Sequence, residues 1–365
     1  MTRIVSFLIR RAAAAAFTLL ALILITFVVY WAIPTSPEGY VYPFSQHLSD
    51  YQIHHADQLL GLTRSKPDQY VHYVWGLLHG NFGGDWGSGR LVNNTQFVMA
   101  PIGPQIWPLV RKTLSIILGG ALIVLLLAVP LGGYAGSKIG SIGDRTISTA
   151  SLVGICTHPM VLGLILSTEL GAKHLGWLPS DGYCPFLKPQ GGAVIDPNGG
   201  TLACGGPQDW ALHLILPWLT FALIFLALYT RMVRASVADT LHEDYVRTAR
   251  SKGASELRVM RSHVLPSAGL RVLTMVGMEI GTAIGICIYI EAAFNIGGLG
   301  QQAIFVMGGA SATLNLPYTL AVVTVITLIV IVGNLIVDLL YAVLDPRVGR
   351  ETGRGGQKAF AGGII

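Results

Sequence analysis

Residues Glu243 to Pro266 read EDYVRTARSKGASELRVMRSHVLP, the longest strongly polar run between two apolar spans. It carries Arg247, Arg250, Lys252, Arg258 and Arg261 against Glu243, Asp244 and Glu256. Gly253 interrupts an otherwise helix-favouring sequence, and Pro266 closes it just before the next apolar run. Glycine lowers helical propensity and reaches the backbone angles of a sharp turn, so two short helices meeting at Gly253 are predicted. Between membrane spans, such an element is an inner loop that another molecule can grip. Its charge fits equally well with an ordinary basic inside loop, because Lys and Arg favour that side.

On either side of this run the chain is apolar. Of its 365 residues, 52% are hydrophobic and 12% charged, whereas a soluble domain carries about 25% charged residues. Arg3, Arg10 and Arg11 precede an apolar run from Ala12 to Ile33. That run exceeds the roughly 7–15 residues of a secretory h-region. Pro34, Thr35, Ser36 and Pro37 follow it rather than a small-x-small cleavage site, so it reads as a retained first span. Five more spans lie at roughly 113–135, 147–170, 211–230, 268–290 and 318–343, each near the ~20 residues that cross a hydrocarbon core. The result is an all-α membrane protein with six transmembrane helices. Proline inside the second, third and fourth spans is tolerated where neighbouring helices satisfy the freed carbonyls.

With the N-terminus inside, seventeen of the 24 Lys and Arg residues fall in inside segments. Arg64, Lys66, Arg90, Arg111, Lys112, Lys173 and Lys188 stay outside. The bias places both termini in the cytoplasm. The chain then divides into an N-terminal span at 1–34, an extracytoplasmic segment at 35–112, a five-helix core at 113–345 and a tail at 346–365. The core includes an outer loop at 171–210 and an inner loop at 231–266. The tail is expected to be disordered. The net charge of +5 needs no nucleic-acid partner, since the basic residues sit beside spans.

In the extracytoplasmic segment, Tyr70 to Leu78 can form a short amphipathic helix at the membrane surface, and a folded cap without chemistry accounts for the rest. Cys184 and Cys204 bracket a Pro/Gly-rich stretch in the second outer loop. That compartment permits a disulfide, and closing about 20 residues stabilises by roughly 3 kcal/mol. Cys156 and Cys287 fall within spans and are expected to pack as small apolar residues. The four cysteines lack metal-ligand spacing. There is no GxxxxGK[ST] phosphate loop, and the scattered histidines form no nucleophile–base pattern, so no catalytic site is expected. Two carboxylates lie in or near spans, and a carboxylate in a bilayer reads as facing a cavity. Glu279 could hold a peptide's amino terminus or be satisfied by a helix at a subunit interface. Glu169 could share that path or simply reach outside water. Small residues at Gly277, Gly281 and Gly285 let helices approach closely. Asp144 stands where it can cap a helix start.

The inner run resembles the cytoplasmic loop of bacterial ABC importer permease subunits, which reads Glu-Ala-Ala, three residues, Gly, nine residues, then Ile-x-Leu-Pro. Here Arg247, Thr248 and Ala249 hold the Glu-Ala-Ala positions, and His263, Val264, Leu265 and Pro266 follow Gly253. DYVRTARSKG is similar to the narrower dipeptide/oligopeptide branch. Further matches are Leu60-Gly61-Leu62, Gln69-Tyr70, the Gly-Asp-(Leu/Phe)-Gly pattern set on Gly80, Phe82 and Gly83 with Asn81 for Asp, Asp144-Arg145, and GWLPSDGY at 176–183. Glu291, Phe294, Gly298, Leu299 and Gly300 match a Glu-x-x-Phe-x-x-Pro-Gly-Leu-Gly motif, with Gly297 for Pro. Asn315-Leu316-Pro317 stands for Asp-x-Pro, and the ending matches at Asp338, Leu344, Asp345, Pro346 and Arg347.

The resemblance implies a type I ABC importer permease fold and peptide import. It also implies a second homologous permease, two ATP-binding subunits that hold the ATP and magnesium, and an extracytoplasmic peptide-binding protein. Glu243, Asp244, Tyr245, Arg247, Thr248, Ala249, Arg250, Lys252 and Gly253 would form the ATPase-coupling loop. Glu291, Phe294, Gly298 and Gly300 would have an outer gating or structural role. The same branch also carries nickel chelates, glutathione or haem. A stand-alone ion-coupled carrier is the reading from another class, but no internal repeat supports it.

Overall fold

The structure, a computed structural model, describes residues 2–33, 36–42, 48–92, 96–171, 175–187, 194–195, 201–202, 204–306 and 314–344. The tail at 346–365 and the motif residues Asp345, Pro346 and Arg347 lie outside the described residues, as do Lys173 and Lys188. In chain order the helices begin with α1 (Thr2–Ala32), α2 (Asp50–Leu60) and α3 (Lys66–Leu78). A hairpin of β1 (Gly84–Val92) and β2 (Gln96–Pro101) precedes α4 (Ile102–Ser137), α5 (Ile142–Cys156) and α6 (Pro159–Glu169). The two-residue strands β3 (Val194–Ile195) and β4 (Thr201–Leu202) pair before α7 (Pro207–Leu241), α8 (Asp244–Ser251) and α9 (Glu256–Val259). Then come α10 (Leu265–Ala293), α11 (Leu299–Val306) and α12 (Leu316–Leu344). The two small hairpins are additions to the expected all-helical plan.

Among the described residues, five helical stretches are long and apolar enough to cross a membrane, and the α5–α6 pair makes a sixth if taken as one span. The sequence places an unbroken span there. Instead the two helices meet at 103°. The residue before proline is pushed out of the α region, and His158 accordingly sits at φ −71°, ψ 136° with Pro159 opening α6. Pro217 behaves differently: α7 runs through it without interruption.

A second difference concerns the glycine-spaced stripe. A Cβ on Gly281 or Gly285 would meet nothing within 4 Å, and only Gly277 stands close to Val337. The tight approach is elsewhere, where a Cβ on Gly132 or Gly136 of α4 would run into Val233 or Val237 of α7. Small residues let those two backbones come together.

The residues divide into two compact units. The first comprises Met1–Ser115, Asp181–His213 and Cys287–Ile331. One of its cores joins Ile102, Ile106 and Val110 of α4 to Leu299 and Ala303 of α11 and to Tyr318, Val322 and Val325 of α12. Another joins Ile23, Phe27 and Tyr30 of α1 to Ala56 and Leu60 of α2, Trp86 of β1, and Leu316 and Leu320 of α12. α2 starts with a reciprocal cap between Ser49 and Gln52 and stops at left-handed Gly61, which satisfies orphan amides at one end and carbonyls at the other.

The second unit comprises Ile116–Ser180, Leu214–Ile286 and Val332–Ile365. It contains the polar loop. There α8 is a separate helix, but α9 is not: it passes through a π-helical turn at Met260–Val264 straight into α10. Pro266 therefore lies inside a continuous helix, directly after the π-helical turn, rather than closing the loop. A proline within a helix removes an amide and crowds the preceding turn, and local π adjustment is one way a membrane helix accommodates it.

Candidate functional site

In the second unit, α8 has the sequence DYVRTARS. Val246 is its one buried residue, and the rest of the face is polar. Asp244 stands in the first turn and Arg250 in the last, matching the positive and negative ends of the helix dipole. The C-terminus closes tightly. The amide of Gly253 donates to the Arg250 carbonyl at 2.9 Å, and that of Ala254 donates to the Ala249 carbonyl at 3.2 Å. Such a closure needs a left-handed residue, and Gly253 has φ +81°. Arg250 Nε and Nη2 donate to the two Glu256 oxygens at 2.9 and 3.1 Å, clamping α8 to α9. Glu243 caps the N-terminus by backbone position only, and Lys252 occupies the C-cap. Thr248 Oγ1 donates to the Asp244 carbonyl at 2.9 Å. Glu243, Asp244, Tyr245, Arg247, Thr248, Arg250 and Lys252 are all exposed, while Ala249 is half-buried. The result is a short, pre-formed helix that presents charge and one aromatic ring outward.

Two more polar contacts brace this unit. Asp144 accepts from Arg234 Nε and Nη2 and from the Gly140 amide. The helix cap at α5 is Ser141, which accepts from the Asp144 amide at 3.1 Å. Asp144 is thus an ion-pair partner rather than the cap its position suggests. Arg271 Nη1 donates to Asp239 at 3.1 Å. Glu279 is half-buried on α10 and forms no ion pair among the described residues. Glu169 is exposed at the end of α6. The structure does not bring Glu279 and Glu169 together as one site.

In the first unit the motif EAAFNIGGLG builds a buried node. Glu291 is fully buried in the last turn of α10. Its Oε1 accepts from the Thr113 hydroxyl of α4, and its Oε2 accepts from the Gln301 amide of α11 at 2.9 Å. A helix N-terminus holds a carboxylate well because its first amides have no partner in the helix. Thr113 Oγ1 also accepts from the Leu299 amide at 2.9 Å. A Cβ on Gly298 would land on the Glu291 carboxylate, and one on Gly300 would meet Ile288. Lys112 Nζ donates to the carbonyls of Ile296 and Gly297 at 3.0 and 3.2 Å, just past the end of α10 where a cation is favoured. Phe294 is buried, and its carbonyl accepts from the Gly182 amide at 2.9 Å. The loop that begins there carries Cys184, joined by a disulfide to Cys204.

Glu291, Phe294, Gly298 and Gly300 are therefore one packed node, with Thr113, Lys112 and Gln301 as members that the motif does not name. A second bridge has a similar form. Asn315 Nδ2 donates to Asp85 Oδ1 at 2.8 Å, and Asn315 Oδ1 accepts from the Tyr318 amide at 3.3 Å, capping α12. The pattern read at 80–83 ends immediately before β1, in which Asp85 is the carboxylate that Asn315 meets. No group of three or more His, Cys, Asp or Glu able to hold a metal occurs among the described residues.

Residues 128–350 match the family model described as "Binding-protein-dependent transport system inner membrane component". Residues 4–90 match the model of the N-terminal part of such components. The dipeptide transport system permease protein DppB of Escherichia coli strain K12 is 30% identical over 94% of this chain and 98% of its own length. The di/tripeptide transport system permease protein DppB of Pseudomonas aeruginosa strain UCBPP-PA14 is 31% identical over 95% of this chain and 99% of its own length. The oligopeptide transport system permease protein AppB of Bacillus subtilis strain 168 is 30% identical over 94% of this chain and 99% of its own length.

Proposed function

The chain belongs to the family of binding-protein-dependent transport system inner membrane components, and on that premise we propose that it is the permease subunit of an ATP-driven importer carrying di- or oligopeptides into the cytoplasm. It is a multi-pass protein of the bacterial inner membrane, and its family works in assemblies with ATPase and substrate-binding partners. The peptide cargo rests on its relatives, which bear the names of dipeptide, di/tripeptide and oligopeptide permeases.

The observation that carries the reading is α8: a short exposed helix, closed at Gly253 and clamped by Arg250 to Glu256. A helix already rigid before it is gripped transmits a push without first ordering itself. In this reading two ATP-binding subunits dock inside, one seating α8, and hold the ATP and magnesium. A second permease of similar fold completes the pathway, and an outer binding protein delivers peptide. This chain supplies no cofactor and no chemistry. Closure of the ATPase pair shifts the permeases from inward- to outward-facing because the two states offer different contacts to α8.

Purification of the chain from mild detergent, with mass spectrometry of what accompanies it, tests the assembly. The expected result is a second permease, ATPase subunits and a binding protein with bound peptide. Reproducible recovery of the chain alone would contradict it.

A further inference from the structure

Val71, Trp75 and Leu78 are exposed on α3 at 61%, 63% and 73%. Their spacing of four and three residues puts them in one stripe along the helix. Tyr70, Tyr73 and Leu77 point the other way, packed against the core built by α1, α2 and α12. α3 therefore has two apolar faces, and within the described residues only one is covered.

The contacts of the covered face fix its depth. The Tyr70 hydroxyl donates to the Leu20 carbonyl at 3.0 Å, and its ring lies 5.9 Å from that of Phe27. Leu20 and Phe27 precede Ala32, the end of α1, by twelve and five residues, or about 18 and 7 Å along the axis. The Tyr73 hydroxyl pairs with Thr324 Oγ1 at 3.3 Å, eight residues or about 12 Å inside α12. Both α1 and α12 are apolar enough to cross the bilayer. At the same level α1 leaves Leu24, Ile25, Val28 and Val29 exposed. A helix strapped alongside such positions lies beside acyl chains, out of reach of a water-soluble partner. At its start, Lys66 Nζ stands 4.7 Å over the Trp31 ring, near the end of α1 where headgroups begin. Trp75, packed against His79 with ring centres 4.8 Å apart, is a residue type common on the apolar face of interfacial helices.

We propose that α3 is an interfacial helix seated in the outer leaflet, with its Val71–Trp75–Leu78 stripe against lipid and its Lys66 end at headgroup level. The lipid contact sets the height of the extracytoplasmic segment that α3 leads into, including the hairpin that carries Asp85.

The test uses the assembled transporter in native membranes, with p-benzoylphenylalanine in place of Trp75 in one variant and of Leu78 in a second. A third variant carries it at exposed His72, outside the stripe. After illumination, the peptide bearing each position is weighed. Phospholipid adducts at positions 75 and 78, at least fivefold above position 72, are expected. Cross-links from 75 and 78 to another protein subunit, no adduct at either in an inserted full-length chain, or equal lipid labelling at 72 would overturn the proposal.

Discussion

Glu291 sits where removal of its carboxylate leaves the Thr113 hydroxyl and the first amides of α11 without their acceptor. Leaving buried donors unpaired costs about 3 kcal/mol, so Glu291→Ala should lower the thermal midpoint of the detergent-solubilised protein sharply. A midpoint equal to the native one would show that the node carries no stability. Gly298→Ala places a methyl group on the same carboxylate and should cost about 1–3 kcal/mol. Gly281→Ala meets open space and should be neutral or stabilise by up to about 1 kcal/mol. Comparable melting of the two variants would contradict the packing described here. The motif residues of this node were legible in the sequence as a group, but their partners were not. Thr113 lies 178 positions from Glu291, and nothing local marks a threonine at the start of a span as its donor. Asp85 was missed for a similar reason, because nothing local pairs it with Asn315, 230 positions away.

At the scale of elements, α8 was legible because its charges, glycine and flanking spans coincide in one stretch. What could not be read was that α9 continues into α10, since Pro266 looks like a stop and instead follows a π-helical turn within one continuous helix. Arg250→Glu breaks an exposed pair worth about 0–1 kcal/mol, so the protein should insert and fold normally while ATP hydrolysis no longer drives uptake. The swapped pair Arg250→Glu with Glu256→Arg separates two roles. Restored coupling would assign Arg250 to clamping α8, and persistent loss would assign it to contact with the ATPase. Native coupling in Arg250→Glu alone would remove Arg250 from the mechanism. In the outer loop, Cys184→Ser with Cys204→Ser releases a loop of separation 20. It should cost roughly 3 kcal/mol in the chain-entropy model, read as a lower thermal midpoint that reductant also produces in the native protein. A midpoint insensitive to both would show that the bond constrains nothing.

For the whole molecule, six apolar runs were enough to specify a helical membrane protein, because crossing a bilayer leaves the backbone few options. The right-angled break at Pro159 was hidden, since hydropathy counts apolar residues and is blind to direction. Pro217 and Pro159 look alike in sequence, yet only the second interrupts its helix. The central claim is that this chain passes peptide only when α8 is driven by an ATPase. It is tested most directly in proteoliposomes holding the full assembly, with ATP on the ATPase side, binding protein on the other, and peptide uptake and ATP hydrolysis measured together. Gly253→Pro is the decisive variant, because proline cannot adopt the φ of +81° found at Gly253. The account predicts ATP-dependent uptake by the native assembly and, in Gly253→Pro, correct insertion with uptake lost or detached from hydrolysis. Uptake without ATP, or full coupled uptake in Gly253→Pro, would contradict it.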